Sequence, residues 1–416
     1  MEYADFLDES YVPDDELVCT FRLRPGEGLS VGEAAARVAS ESSNGTWAAL
    51  SPESNVRQYS ATAFDIGEVG DHGATVSVAY PQPLFEDGNL PQILSCIAGN
   101  IMGMKAVETI RLLDCEWPEG LVRGFPGPQY GPSVKSELLD AIDRPALATV
   151  PKPKVGLSTA EHVDIAEAAW RGGVDLLKDD ENLTDQSFNP FERRVSEALA
   201  VAEKISEETG ERKEYLVNIT AETDEMLRRA EYVADRGGRF VMVDIITCGW
   251  SGLATVRRRC EDLDLAIHAH RAMHAAFDRL PQHGVSMRCL AQFARLAGVD
   301  HIHTGTAGLG KLENEDTPGI NEWLGSELYG VAPVLPVASG GLHPGIVDQL
   351  LGALGPEIMV QAGGGIHGHP DGTEAGARAL RASVEASLEG VSLEERAETV
   401  PELRTALEKW GTETPR

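Results

Sequence analysis

The run Val174–Asn182, VDLLKDDEN, brings Lys178, Asp180 and Glu181 together where an apolar stretch ends. In a strand Lys178 and Asp180 point to one side, and Glu181 can turn in as the strand stops. Two carboxylates on a rigid strand end suit a hard cation such as Mg2+, which takes few protein oxygens and keeps positions for water or substrate. Lys178 then has two readings: a salt bridge on an acidic surface, or an amine carbamylated by CO2 and so turned into an anionic oxygen ligand. Lys152 and Lys154, in PKPKVG, flank a stiff Pro153 and read either as surface lysines or as cations facing the same site. With only nine lysines beside 27 arginines in the chain, two within three positions favour the site.

Two His-x-His pairs follow, His268/His270 (with Arg271 and His274 after them) and His301/His303. On strands the members of each pair share a face, so imidazoles from two strands converge, unless His268 and His301 are simply core histidines. A dinuclear zinc site of the amidohydrolase kind is disfavoured by order, because there the His-x-His precedes the lysine. The segment TGTAGLGKLE, residues 304–313, reads as a mobile lid with the Lys311 cation at its tip; it lacks the GxxxxGK[ST] spacing of a Walker A loop. Ser339-Gly340-Gly341 and Gly363-Gly364-Gly365 read as tight turns or as backbone N–H cradles for phosphate. Arg271 and His303 can hold a second phosphate. The residues together point to a Mg2+-dependent enzyme acting on a small bisphosphorylated molecule.

These residues need a scaffold that collects strand ends. From Ala148 onward, apolar β-rich runs alternate with amphipathic helices: Ala148–Lys152, Val174–Lys178, Tyr215–Ile219, Phe240–Ile246, Leu265–Ala269, Asp300–Ile302, Leu335–Ala338 and Ile358–Gln361. Eight βα units in about 270 residues predict a (β/α)8 TIM barrel, with an open doubly wound sheet as the competitor. Ahead of it lies a smaller α+β, ferredoxin-like domain. Leu17–Leu23 and Ala74–Tyr80 are its expected strands, and Val31–Ser40 and Gly99–Leu113 its expected helices. Prolines and glycines in Phe125–Ser133 mark the boundary. The expected division is residues 1–127, residues 128–400 and a tail, 401–416.

Composition narrows the class further. A formal charge of −30 and a sequence pI near 4.7 argue against nucleic acid or an anionic membrane as partner. So acidic a surface fits a high-salt solvent that screens it. At 42% hydrophobic and 25% charged the chain is globular, and no apolar window approaches a membrane span. The start, MEYADFLDESYVPDDE, carries no signal-peptide pattern, so a cytoplasmic location is expected. Six scattered cysteines, never as CxxC, support neither a disulfide framework nor a zinc knuckle.

GGVDLLKDDEN, HAHRAMHAAFDR, HIHTGTAGLGKLE, ASGGLH and AGGGIHGHPDG, with ESSNGTW and GNIMGMKA nearer the start, occur in the order and spacing of one family. The chain resembles ribulose-1,5-bisphosphate carboxylase/oxygenase (RuBisCO) large subunits over nearly its whole length. The resemblance implies that Lys178 is carbamylated and binds Mg2+ with Asp180 and Glu181, and that the carbamate removes the C3 proton of ribulose 1,5-bisphosphate. It assigns Lys152 to protonation of the upper product, Lys154 to its support, His270 to proton transfer and hydration, and Lys311 to the new carboxylate. Arg271, His303 and Ser339 correspond to one phosphate site; Gly341, Gly363, Gly364, Thr46 and Trp47 correspond to the other. Glu41 and Asn100 match residues that a partner subunit supplies, which implies a homodimer or a ring of dimers, with no small subunit. CO2 and O2 are the implied gaseous substrates, and CO2 is also the activator.

Three departures from plant-type sequences favour the archaeal form III branch: one extra residue between His303 and Lys311, Pro151 before Lys152, and a short C-terminal tail. With the −30 charge they imply a halophilic archaeon and a role in AMP and nucleoside salvage. A RuBisCO-like enolase or isomerase of a related phosphosugar, or a non-catalytic ligand-binding or assembly subunit, are the alternatives. Each is disfavoured by the completeness of the residue set.

Overall fold

The computed structural model describes residues 2–46, 56–310 and 316–415, which form two compact units. The first comprises Met1–Gly127, Met273–Ala297 and Glu327–Val331; the second comprises Pro128–Ala272, Gly298–Ser326 and Ala332–Arg416.

In the first unit β1 (Glu16–Pro25) places Leu17, Cys19, Phe21 and Leu23 on one buried face, the period-two pattern of a half-buried strand. It pairs antiparallel with β3 (Ala74–Pro81) on one side and β4 (Val107–Glu116) on the other, and β2 (Thr62–Phe64) extends the sheet beyond β3. The helix Val31–Glu41 starts at a capping box, in which Ser30 and Glu33 satisfy each other's backbone N–H, and it buries Ala34, Ala35, Val38 and Ala39. The expected helix Gly99–Leu113 is a 3-10 turn, Asn100–Gly103, followed by β4. Its buried residues Val107, Ile110, Leu112 and Cys115 are spaced by three, two and three because the β1–β4 register shifts twice. Those irregularities counterfeit a helical period.

The second unit is built on a closed barrel of parallel strands. Its first five are β5 (Ala146–Thr149), β6 (Leu176–Lys178), β7 (Glu214–Asn218), β8 (Phe240–Asp244) and β9 (Ala266–His270). The chain next contributes β10 (Gly284–Val285) to the edge of the first unit's sheet, parallel to β4. β11 (His301–His303), β12 (Leu335–Ser339) and β13 (Met359–Ala362) complete the barrel, and β13 pairs with β5. All eight runs expected from the sequence are these strands, and closure rules out the open sheet. Ala148, Leu176, Leu216, Phe240, Ala266, Val337 and Met359 pack inside. Among the described residues no helix is long and apolar enough to cross a membrane.

Two buried carboxylates tie strand starts together. Asp175 takes both Arg144 guanidinium Nη groups at 2.6 Å and the Leu147 N–H at 2.8 Å, which fixes β5 against β6. Asp300 accepts the N–H groups of Tyr130, Gly131 and Ile267 at 2.6–2.9 Å. Removing Asp175 would strand the Arg144 charge, itself largely buried, and leave the Leu147 N–H unpaired. Asp175→Ala is therefore expected to cost about 3–5 kcal/mol, read from the midpoint of urea unfolding at neutral pH. A loss below about 1 kcal/mol would remove this role from Asp175.

Candidate active site

The C-terminal ends of the barrel strands surround a cavity of about 520 Å³. Lys152, Lys154, Asp180, Glu181, His270, His303, Ser339, Gly341, Gly363 and Gly364 all line it, so ten of the residues singled out in the sequence meet in one mouth. Lys178 lies beneath the lining at the last position of β6, 1% exposed. Arg271 is buried directly after His270 at the end of β9.

The acidic corner is pre-ordered. Lys178 Nζ donates to the Asp179 carbonyl at 2.8 Å. Burial pushes its ammonium below the usual lysine value, against the raising pull of Glu181, Asp180 and Asp179, so the neutral, nucleophilic amine is more populated than on a surface lysine. For Asp180 burial acts upward, but hydrogen bonds from Asn182 and the charge of Lys152 outweigh it and hold the carboxyl below its ordinary range. Asp180 Oδ1 accepts the Asn182 backbone and side-chain N–H groups, and Oδ2 sits 3.1 Å from Lys152 Nζ. Among the described residues no set of three or more His, Cys, Asp or Glu side chains could hold a metal ion. The donor set fits Mg2+ only if Lys178 becomes an oxygen ligand: Asp180 and Glu181 give two hard donors, and a carbamate would give the third.

The histidines divide by depth. At the rim the Ala272 N–H reaches Asp244 Oδ1 at 2.8 Å and His270 Nδ1 at 3.2 Å. Nδ1 also stands 3.6 Å from Asp244 Oδ1, and Nε2 faces Glu181 Oε2 at 3.6 Å. Deeper, His268 Nε2 meets His303 Nε2 at 2.8 Å, and His303 Nδ1 meets Ser339 Oγ at 2.6 Å. His268 Nδ1 has no hydrogen-bond partner among the described residues. An unpaired lone pair costs less than a stranded N–H, so the protons run one way: His268 Nε2–H donates to His303, and His303 Nδ1–H donates to Ser339. The Ser339 hydroxyl is left to donate into the mouth, where an anionic oxygen would accept it. His301, stacked on Phe240 with ring centroids 5.8 Å apart, is core, as one reading of its sequence allowed.

Glycine matters at two places, by backbone conformation at one and by a close approach at the other. Gly341 has φ +85°, and a Cβ on Gly363 would stand 3.1 Å from Lys152 Cε, tight against the lysine stem. The space over Gly364 is open.

In the first unit Asn100 Nδ2 donates to Glu41 Oε1 at 3.2 Å, and both line a separate cavity of about 600 Å³. Thr46 is half-buried just past the helix Val31–Glu41. Trp47 and Lys311 lie outside the described residues. Sequence reading passed over Asp244, Gln361, His343 and Trp410. Asp244 ends the apolar strand FVMVD as Lys178 ends its own, and Gln361 is in phase with Gly363, so both carried a readable signal. His343 and Trp410 line the cavity from distant parts of the chain and stack at 5.8 Å, which no local pattern announces.

Residues 131–410 match the model of the ribulose bisphosphate carboxylase large chain catalytic domain, and residues 5–121 match that of its N-terminal domain. The chain belongs to the ribulose bisphosphate carboxylase large-chain family. It is 51% identical to a ribulose bisphosphate carboxylase of Pyrococcus furiosus, across 100% of this chain and 99% of that protein. Against the enzyme of Archaeoglobus fulgidus it is 45% identical across 99% and 98%. Among solved structures, the octameric RuBisCO of Pyrococcus horikoshii OT3 superposes with a TM-score of 0.95 at 49% identity, covering 98% of this chain and 97% of that one. The dimeric archaeal RuBisCO of Hyperthermus butylicus gives 0.92 at 45%, covering 99% of each. The chain is thus a large subunit of archaeal type.

Burial leaves the RuBisCO barrel with imidazoles that stay neutral. It pushes His301 down to about 3, and His162 and His367 to about 4, from an ordinary 6.5. With folded values below the unfolded one, the stability they contribute is complete above about pH 6.5 and is lost as pH falls toward 3. His301→Leu is expected to flatten the fall in urea midpoint between pH 6.5 and 4; a slope identical to the parent's would show that His301 does not titrate on unfolding.

Proposed function

We propose that this chain carboxylates ribulose 1,5-bisphosphate, consuming one CO2 and one water to give two 3-phosphoglycerate, with O2 competing for the same intermediate. The reading is supported above all by one juxtaposition in a RuBisCO-family barrel: Lys178 buried beneath Asp180 and Glu181, with Lys152 3.1 Å from Asp180 and the His303–Ser339 pair in the same mouth. Lys178 as the carbamate is assigned removal of the C3 proton, and Lys152, with Lys154 beside it, protonation of the upper product. His270 is assigned proton transfer and hydration through Nε2, and Lys311 the charge of the new carboxylate. Ser339 and Arg271, with His303 assigned to the same site through the Ser339 hydroxyl it orients, would bind one phosphate; Gly341, Gly363 and Gly364, with Thr46 and Trp47, would bind the other. Magnesium, when bound by Lys178, Asp180 and Glu181, supplies a Lewis acid that polarises the substrate's oxygens.

Glu41 and Asn100 are assigned to the neighbouring subunit's site, which makes an antiparallel homodimer the smallest active unit. Dimeric and octameric relatives are consistent with that assignment. Domain boundaries near residues 127 and 400, a cytoplasmic location, membership of form III, a halophilic archaeal host and a place in AMP and nucleoside salvage complete the proposal. The archaeal relatives, the −30 charge and the scarcity of lysine support these finer points.

The deciding assay incubates the protein with CO2 and Mg2+ in high salt, then adds ribulose 1,5-bisphosphate and labelled CO2. Labelled 3-phosphoglycerate is expected. Folded protein that enolises the substrate without labelled product would overturn carboxylation and point to a RuBisCO-like isomerase. Lys178→Ala should lower turnover by about three orders of magnitude or more, since it removes both a ligand and a base. Mixing the separately inactive Glu41→Gln and Lys178→Ala proteins should restore part of the activity if sites are shared between subunits, and none if each chain is self-sufficient.

A further inference from the structure

Behind the acidic corner lies a buried side-chain network that no sequence motif marks. Asp179, fully buried between Lys178 and Asp180 in sequence, faces away from the cavity lining. Its carboxylate accepts Tyr215 Oη at 2.5 Å and the Asn218 N–H at 3.0 Å, and meets Arg194 Nε and Nη2 at 3.3 Å each. His162 Nε2 stands 3.6 Å away. Arg194 then reaches forward, with Nη1 to the Asn189 carbonyl and Nη2 to the Thr184 carbonyl, both at 2.7 Å. Asn218 does the same from β7: its Nδ2 lies 3.0–3.4 Å from the carbonyls of Asp180, Glu181 and Leu183, while its Oδ1 accepts the Thr220 N–H.

Residues 180–189 carry Asp180 and Glu181 yet have almost no regular backbone pairing. Five of the loop's carbonyls are instead held by two fully buried side chains, one from the helix Phe191–Thr209 and one from β7. A loop pinned in this way does not have to be ordered when its carboxylates are called on. Asp179 pairs with Arg194, so neither buried charge is left without a counter-ion inside the barrel wall.

We propose that Arg194, Asn218, Tyr215 and Asp179 are positioning residues that hold the 180–189 loop, and with it Asp180 and Glu181, in the geometry that captures a carbamate on Lys178. The inference rests on the reading of Lys178 as the carbamylated lysine. It predicts that weakening the anchor raises the concentrations of CO2 and Mg2+ needed for activation and leaves affinity for ribulose bisphosphate in the activated enzyme nearly unchanged, because the phosphate-facing residues sit on other strands.

The test uses the full-length protein, with carbamate on Lys178 followed by 13C NMR during a titration with 13CO2 and Mg2+. Asn218→Ala removes the three-carbonyl anchor. Tyr215→Phe removes one hydroxyl at constant shape and serves should the first variant not fold. Each should raise the half-activating Mg2+ concentration by about fivefold or more, with KM for ribulose bisphosphate within about twofold of the parent. Ile205→Val, farther along the same helix and outside the network, lowers stability without touching the loop and should leave half-activation where it was. Variants that activate like Ile205→Val would overturn the positioning role alone. A parent protein without a carbamate signal would overturn the reading of Lys178 and this inference with it.

Discussion

Pairing of β13 with β5 closes the barrel, and the placement of the chemistry in the second unit depends on that closure. Parallel strands leave their C-terminal ends on one rim, so a closed ring turns eight separate stretches of sequence into one perimeter. Lys152 follows the first strand, Asp180 the second and His270 ends the fifth; His303 and Ser339 end the sixth and seventh, and Gly363 follows the eighth. Residues more than two hundred positions apart therefore face each other without any long loop having to carry them.

The ring also explains why the interior is not wholly aliphatic. His268, His301 and His303 occupy inward positions that an ordinary barrel fills with branched apolar residues. Two of them form the file that ends on Ser339, so the hydroxyl's direction is set from inside the barrel and does not rely on solvent. Below, Asp175 and Asp300 gather backbone N–H groups at the strand starts. Polar side chains thus sit at three depths: joining strands at the base, orienting a hydroxyl in the middle, and lining the mouth at the rim.

What could be read from sequence follows from this geometry. Strand ends are legible because an apolar run that stops in KDDEN, HAH or HIH changes character abruptly, and the rim residues sit at those changes. β4 was not legible: two register shifts against β1 space its buried residues like a helix, and only the partner strand reveals them. The anchor around Asp179 was equally hidden. Arg194 and Tyr215 look like an ordinary helix arginine and a strand aromatic, and their meeting depends on how the helix Phe191–Thr209 packs on β7. Trp410 reaches the mouth by the same kind of long-range packing, and nothing near it in sequence marks it.

Lys178 is 1% exposed, closed off from bulk water. If Lys178 is the carbamylated lysine proposed above, an amine so enclosed is a filter as well as a nucleophile. Any reagent reaching it must leave bulk water, and a hydrated anion surrenders far more solvation energy in doing so than a neutral, linear triatomic does. Burial would thereby distinguish dissolved gas from bicarbonate, though the two interconvert freely outside. The lysine would report the partial pressure of CO2 and not the total inorganic carbon of its surroundings.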